Sequence, residues 1–306
     1  MAKGFSINIG LNSVDPAHYN GWDGALAACE FDAHDMYDIA GTRNFNTRHL
    51  LLTRDATSDA VVGLITEAAN TLEGGDILLL TFSGHGSQVP NLNDDGETDG
   101  LDETWLLYDR ELLDDELYAL WARFKPGTRV FMLSDSCHSG SVSRQIEYGA
   151  LLAPGSRSRG ILEGAVARRF TRHDSLDEFT GVSAAFVDPT IKLRTPPAAV
   201  RVNTYLRNKE MYDRIQMAHP AGDKANVQAS VLLISGCQDN QLSLDGFRNG
   251  LFTGTLREVW ANGTFGGGYK DFHRDIRSLM PSTQTPNFSI VGADNPAFGN
   301  QNPFTV

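Results

Sequence analysis

The sequence predicts an α/β fold: a mostly parallel central sheet covered by helices on both faces. Two observations carry this. Short apolar runs such as ILLLTF (77–82) and VLLIS (231–235) show no polar alternation, so both faces of those strands must be buried. Stretches of helical periodicity separate the runs, as in successive β-α-β units. The 306 residues, 41% hydrophobic, suffice to bury the core of one large α/β domain or two small ones.

Strands are expected at 5–11, 49–53, 76–82, 104–108, 128–133, 230–235 and 287–291. Helical periodicity runs over 24–40, 58–71, 114–124, 251–261 and 270–279. In such sheets active sites gather at the carboxyl ends of strands. Two strands end suggestively, DILLLTF in SGHGS and RVFML in SDSCHSG. The stretch 141–228 interrupts the pattern with thirteen basic and nine acidic side chains, a local excess of four positive charges. It reads as an irregular basic insertion with some helix near 203–218. The chain therefore divides into residues 1–140, the insertion 141–228, and 229–306 completing the same sheet.

The net charge of −12 argues against a nucleic-acid binder. No apolar run approaches the roughly 18 residues of a membrane span. The start, MAKGFSINIG, lacks the apolar centre of a signal peptide, so a cytoplasmic protein is expected. Cys29, Cys137 and Cys237 are odd in number and far apart, which suits neither a disulfide framework nor a zinc site.

The acidic run from Asp94 to Glu116 holds eleven carboxylates and one arginine. Counted from Asp95 it begins like an EF-hand loop, but position 12 is Leu106, where a bidentate glutamate should stand. The EF-hand reading fails, and a cation site of another kind stays open.

His85 stands between two glycines at the end of a buried strand, so bare backbone on both sides lets it face a cleft. Cys137 stands at the end of another such strand. A nearby imidazole raises the thiolate fraction of a thiol, and neighbouring strands bring distant residues together. The N–H groups of Gly86 and Cys137 are the candidate oxyanion hole. His138 adjoins the cysteine, but in an extended chain it points away and makes a poor base.

These residues carry a resemblance. LLTFSGHGSQ, DDGETDGLDETWLLYD, LLDDELYALW and RVFMLSDSCHSGS together resemble the catalytic half of a metacaspase, a caspase-like cysteine peptidase. LLISGCQDNQLS followed by GLFTGTLREVW resembles the small-subunit half. The separation of 52 positions from His85 to Cys137 agrees with the roughly 50 known in caspases. The resemblance implies a caspase-type three-layer α/β/α sandwich, a p20-like half over 1–140 and a p10-like half over 229–306. It implies a Cys137–His85 dyad with no third side chain, and cleavage after Arg or Lys in peptide substrates. The acidic P1 pocket falls on Cys29, Asp32, Ser83 and Asp135, and two carboxylates there suit a guanidinium.

The resemblance further implies calcium as an activator, held by Asp102, Asp114 and Asp115 with Asp99 nearby. An acidic ligand that some members carry after the nucleophile falls near Arg144, a basic residue, which departs from that pattern. Arg144, Arg157, Arg159, Arg168 and Arg169 in the insertion are candidate processing sites for the chain itself or an upstream protease. A monomer without nucleic-acid or membrane partners, in a proteolytic signalling, cell-death or defence context, completes the expectation. A clostripain-like or gingipain-like peptidase and a caspase-like binding scaffold are the alternatives.

Overall fold

The computed structural model describes residues 2–92, 100–136, 192–219, 226–237, 244–245, 248–281 and 284–306. In chain order the strands are β1 Gly4–Gly10, β2 Thr47–Leu52, β3 Ile77–Ser83, β4 Gly86–Pro90, β5 Leu101–Leu106, β6 Glu111–Leu113, β7 Arg129–Asp135, β8 Lys192–Leu193, β9 Ser230–Ser235, β10 Leu244–Asp245 and β11 Asn287–Gly292. The helices are α1 Cys29–Thr42, α2 Ser58–Thr71, α3 Asp114–Trp121, α4 Ala198–Ala218, α5 Leu251–Trp260, α6 Tyr269–Leu279 and α7 Pro296–Asn300.

Six strands form the central sheet in the order β11-β9-β7-β3-β1-β2. All neighbours are parallel except β11, which lies antiparallel to β9. The unalternating apolar runs do what their composition demands. On β3, Leu78, Leu80 and Phe82 enter a core beneath α2 and α3 that includes Ile65, Leu117 and Trp121. Ile77 and Leu79 enter the opposite core with Met36 of α1, Phe252 and Leu256 of α5 and Phe272 of α6. Each fully buried leucine of this strand contributes roughly 1.5–3 kcal/mol of burial. The result is the expected three-layer sandwich, and β9, from the last part of the chain, pairs directly with β7.

The structure departs from the sequence reading in specific places. The strand expected at 104–108 lies at Leu101–Leu106 and leaves the central sheet for a small antiparallel one, β4-β5-β6. Its polar residues Asp102 and Thr104 are buried, which concealed its full length. β4 and β6 are too short, and β4 too rich in Gly and Pro, to signal themselves. The segment expected to be helical from 24 begins only at Cys29, where Asn12 Oδ1 accepts from the N–H groups of Cys29 and Glu30. Residues 24–28 are left as a loop beside the site.

The insertion is not irregular throughout. Residues 141–191 lie outside the described part, but α4 spans Ala198–Ala218 and docks on the small sheet. There Gln216 donates to the Pro90 carbonyl, and the Tyr212 hydroxyl meets His18 Nε2 at 2.7 Å. Among the described residues no helix is long and apolar enough to cross a membrane.

Candidate active site

Register fixes the position of the site. Ser83 and Asp135 are paired at the carboxyl ends of β3 and β7. Strand alternation places them on the same side as Leu79 and Leu133, facing α1 and α5. α1 supplies Asp32, which accepts from the Ser83 hydroxyl at 2.7 Å. α5 supplies Thr253, whose N–H and hydroxyl both donate to Asp135 Oδ2, at 3.1 and 2.7 Å. The Gly250 N–H at the start of α5 donates to Asp32. The four residues expected to line the P1 pocket are all buried here, with Cys29 Sγ 3.9 Å from Asp245 Oδ1.

Two further residues belong to this pocket and escaped sequence reasoning. Asp245 of β10 is buried, and its carboxylate accepts from the N–H groups of Ala27 and Ala28. Arg194 fills the pocket and is fully buried. Its Nη1 lies 2.8 Å from Ser83 Oγ, 2.9 Å from the Asp135 carbonyl and 3.1 Å from Asp135 Oδ1. Its Nη2 lies 2.7 Å from Asp32 Oδ2 and 3.1 Å from Asp245 Oδ1. One cation thus faces three carboxylates. Burial pushes the Asp32 carboxyl up to about 6, against the downward pull of the guanidinium, with Asp135 adding an upward push. Burial disfavours the charged Arg194, but the surrounding acidic groups hold it firmly protonated. Burial, against the pull of the Arg194 guanidinium and helped by Asp245 and Asp32, makes the Cys29 thiol a very weak acid, so it serves as a wall.

His85 lies between this pocket and the small sheet. The Leu106 N–H donates to the His85 carbonyl and fixes its backbone. The ring packs against Trp22 at 4.7 Å, and Nε2 lies 2.9 Å from the Gly24 carbonyl. A carbonyl only accepts, so Nε2 carries the proton and Nδ1 is the basic nitrogen. Nδ1 is buried without a hydrogen-bond partner among the described residues. Burial lowers the His85 pKa to about 4, although the nearby Gly24 and Arg194 backbone favours the protonated form. The orienting group is therefore a main-chain carbonyl. Gly24 adopts a left-handed φ of 59°, and the glycine itself is the one sequence sign of a special turn there.

The Gly86 N–H, expected in the oxyanion hole, donates at 3.1 Å to the carbonyl oxygen of Arg194. Cys137 lies outside the described residues, as do His138, Asp99 and the arginines 144, 157, 159, 168 and 169. Of the expected cation ligands, Asp102 and Asp115 are buried on the small sheet and at the start of α3, next to Asp114. Among the described residues no three His, Cys, Asp or Glu side chains converge to hold a metal ion. The rest of the acidic run, 93–99, lies outside the described residues.

Comparison with known proteins agrees with this geometry. The model of the caspase domain, peptidase family C14, matches residues 14–298. A metacaspase-1 of Schizosaccharomyces pombe is 30% identical over 232 residues, 74% of this chain and 49% of that protein. Metacaspase-1 of Mycosarcoma maydis is 26% identical over 273 residues, covering 83% of this chain and 60% of that protein. This chain thus spans about half to three fifths of the curated relatives it matches. Protein GSU0716 from Geobacter sulfurreducens, a crystal structure, is 45% identical with a TM-score of 0.79 and 99% coverage of both chains. With a central sheet that pairs Ser83 and Asp135 at the carboxyl ends of β3 and β7, and a family match over nearly its whole length, the chain belongs to the caspase-domain family of cysteine-type peptidases.

Proposed function

We propose that this chain is a cysteine endopeptidase that cleaves peptide bonds after arginine, and more slowly after lysine, using Cys137 as nucleophile and His85 as base. The observation that carries the reading is the buried pocket of Asp32, Asp135 and Asp245, which holds a guanidinium by both terminal nitrogens. A P1 aspartate would add a fourth buried carboxylate and be rejected. Lysine offers one compact ammonium where arginine spreads two nitrogens over five acceptors, so arginine is the better fit.

The chemistry follows from the dyad. His85, neutral and oriented by the Gly24 carbonyl, takes the thiol proton at Nδ1. The thiolate adds to the P1 carbonyl, and the Gly86 N–H stabilises the developing oxyanion. The imidazolium then protonates the leaving amine, and water admitted to the site hydrolyses the thioester. Calcium enters this reading only as an activator bound by the acidic run, with no part in the bond-breaking steps.

Cleavage of a peptide library varied at P1, with calcium and with a chelator, tests the proposal. Cuts after arginine above lysine, lost in Cys137→Ala, are expected. Cleavage after aspartate, or undiminished cleavage by Cys137→Ala, would overturn it.

A further inference from the structure

We infer that the bond between Arg194 and Thr195 is the chain's own first substrate, cut within the same molecule, and that the intact chain is closed to other substrates until then. The inference rests on the peptidase reading above and adds to it the site of processing. None of the insertion arginines named from sequence is this residue.

Three independent contacts place Arg194 as a P1 residue. Its side chain fills the acidic pocket, with no solvent exposure. Its carbonyl oxygen accepts from Gly86 N–H, the donor assigned to the oxyanion hole. The two residues before it run antiparallel along β10, with Leu193 opposite Leu244 and Lys192 opposite Asp245, as an extended peptide adds to a strand. A merely structural arginine needs only the first of these. A buried ion pair is also weak evidence for stability on its own, because desolvation consumes much of the attraction. Backbone and side chain together describe a substrate.

The sequence after the bond suits its separation. Thr195 is followed by Pro196 and Pro197, which cannot donate to a strand, and α4 starts immediately afterwards. α4 is held on the small sheet by the Tyr212 hydroxyl, which accepts from the Glu111 N–H, and by Gln216, which donates to the Pro90 carbonyl. Once the bond is broken, that anchor keeps residue 195 onward in place, while residues 192–194 keep the pocket and strand contacts and the Lys192 ammonium on the Ala25 carbonyl. The reaction consumes one water. The Cys137 thiolate adds to the Arg194 carbonyl carbon, the C–N bond to Thr195 breaks, and the new Thr195 amine takes the proton from His85. Hydrolysis of the thioester leaves Arg194 with a free carboxylate and restores the thiol.

The test uses the full chain, followed by intact mass and by sequencing of new amino termini, alongside a reporter peptide with arginine at P1. A fragment beginning at Thr195 is expected from wild type and absent from Cys137→Ala. Its first-order rate should not change on dilution, and reporter turnover should rise about tenfold or more as it accumulates, since an occupied site binds in proportion to its open fraction. Arg194→Lys keeps a cation in the pocket and should slow the same cut without moving it. If wild type cleaves the reporter after arginine while no fragment begins at Thr195, the inference fails and the peptidase reading stands. A rate that falls on dilution also overturns it. If neither reporter nor chain is cut after any arginine, the reading itself has failed and takes the inference with it.

Discussion

The carbonyl oxygen of Arg194 lies 3.1 Å from the backbone nitrogen of Gly86 and accepts its hydrogen bond. The Gly86 N–H is aimed by two neighbours. The preceding residue is tied through its carbonyl to Leu106, and Gly86 itself pairs with Trp105 across β4 and β5. The small sheet, which looks peripheral, therefore holds the backbone of His85 and Gly86, the base and the oxyanion donor of the proposed mechanism.

Gly250 should prove essential to arginine specificity. Its φ of −59° suits any residue, so space and not conformation demands glycine. A methyl group at 250 would stand 2.6 Å from both Arg194 Cζ and Asp135 Oδ2. Gly250→Ala is expected to lower kcat/KM for P1-arginine peptides by about 5- to 100-fold, the equivalent of roughly 1–3 kcal/mol of overpacking. The arginine-to-lysine ratio measured on paired peptides should fall, and an unchanged ratio would put the guanidinium elsewhere.

Asp245→Asn separates the third carboxylate from the other two. The substitution removes a charge-assisted contact to the guanidinium worth about 1.5–3 kcal/mol, so kcat/KM for P1-arginine substrates should fall roughly 10- to 100-fold. Steady-state kinetics that leave arginine and lysine peptides equally fast in the variant and wild type would remove Asp245 from the pocket.

The pH dependence should appear in KM. With the pocket filled, Asp32 titrates near 6, and loss of the guanidinium raises it further, so binding arginine requires release of a proton in that range. KM for arginine peptides is expected to rise as pH falls toward 6, and Asp32→Asn should flatten the profile. Stability is the wrong readout. The raised Asp32 favours the folded state below its unfolded value near 3.8 and loses that advantage as pH rises through about 6. The depressed His85 does the reverse, losing stability as pH falls from 6.5 through about 4, so the two offset.

His85→Ala should leave a folded protein, because Nδ1 is without a hydrogen-bond partner among the described residues and Nε2 meets only a loop carbonyl. kcat should fall about 10²- to 10⁴-fold, and the Thr195 fragment should form correspondingly more slowly. Circular dichroism alongside the kinetics would reveal a variant that lost activity by unfolding.

Much of this was legible in the sequence because burial leaves a pattern. The unalternating runs of β3, β7 and β9 could only be central strands, and their ends had to carry the site. Ser83, Asp32 and Asp135 were readable through the family resemblance, and register then brought them together. What was hidden depends on contacts between distant segments. Arg194 sits in a polar, Pro-flanked stretch like any loop arginine, and nothing local says that it is fully buried. Asp245 lies on a strand of two residues that exists only because β8 pairs with it. The partner of His85 is a backbone carbonyl, which no side-chain motif can announce.

The most direct test of the account is alkylation by an arginyl chloromethyl ketone, with the modified residue mapped by mass spectrometry after the Thr195 fragment has formed. The expected result is a single arginyl adduct on Cys137, slowed in Asp135→Asn, and not produced by the aspartyl analogue. An adduct on Cys29 or Cys237, or equal reaction with the aspartyl reagent, would contradict it.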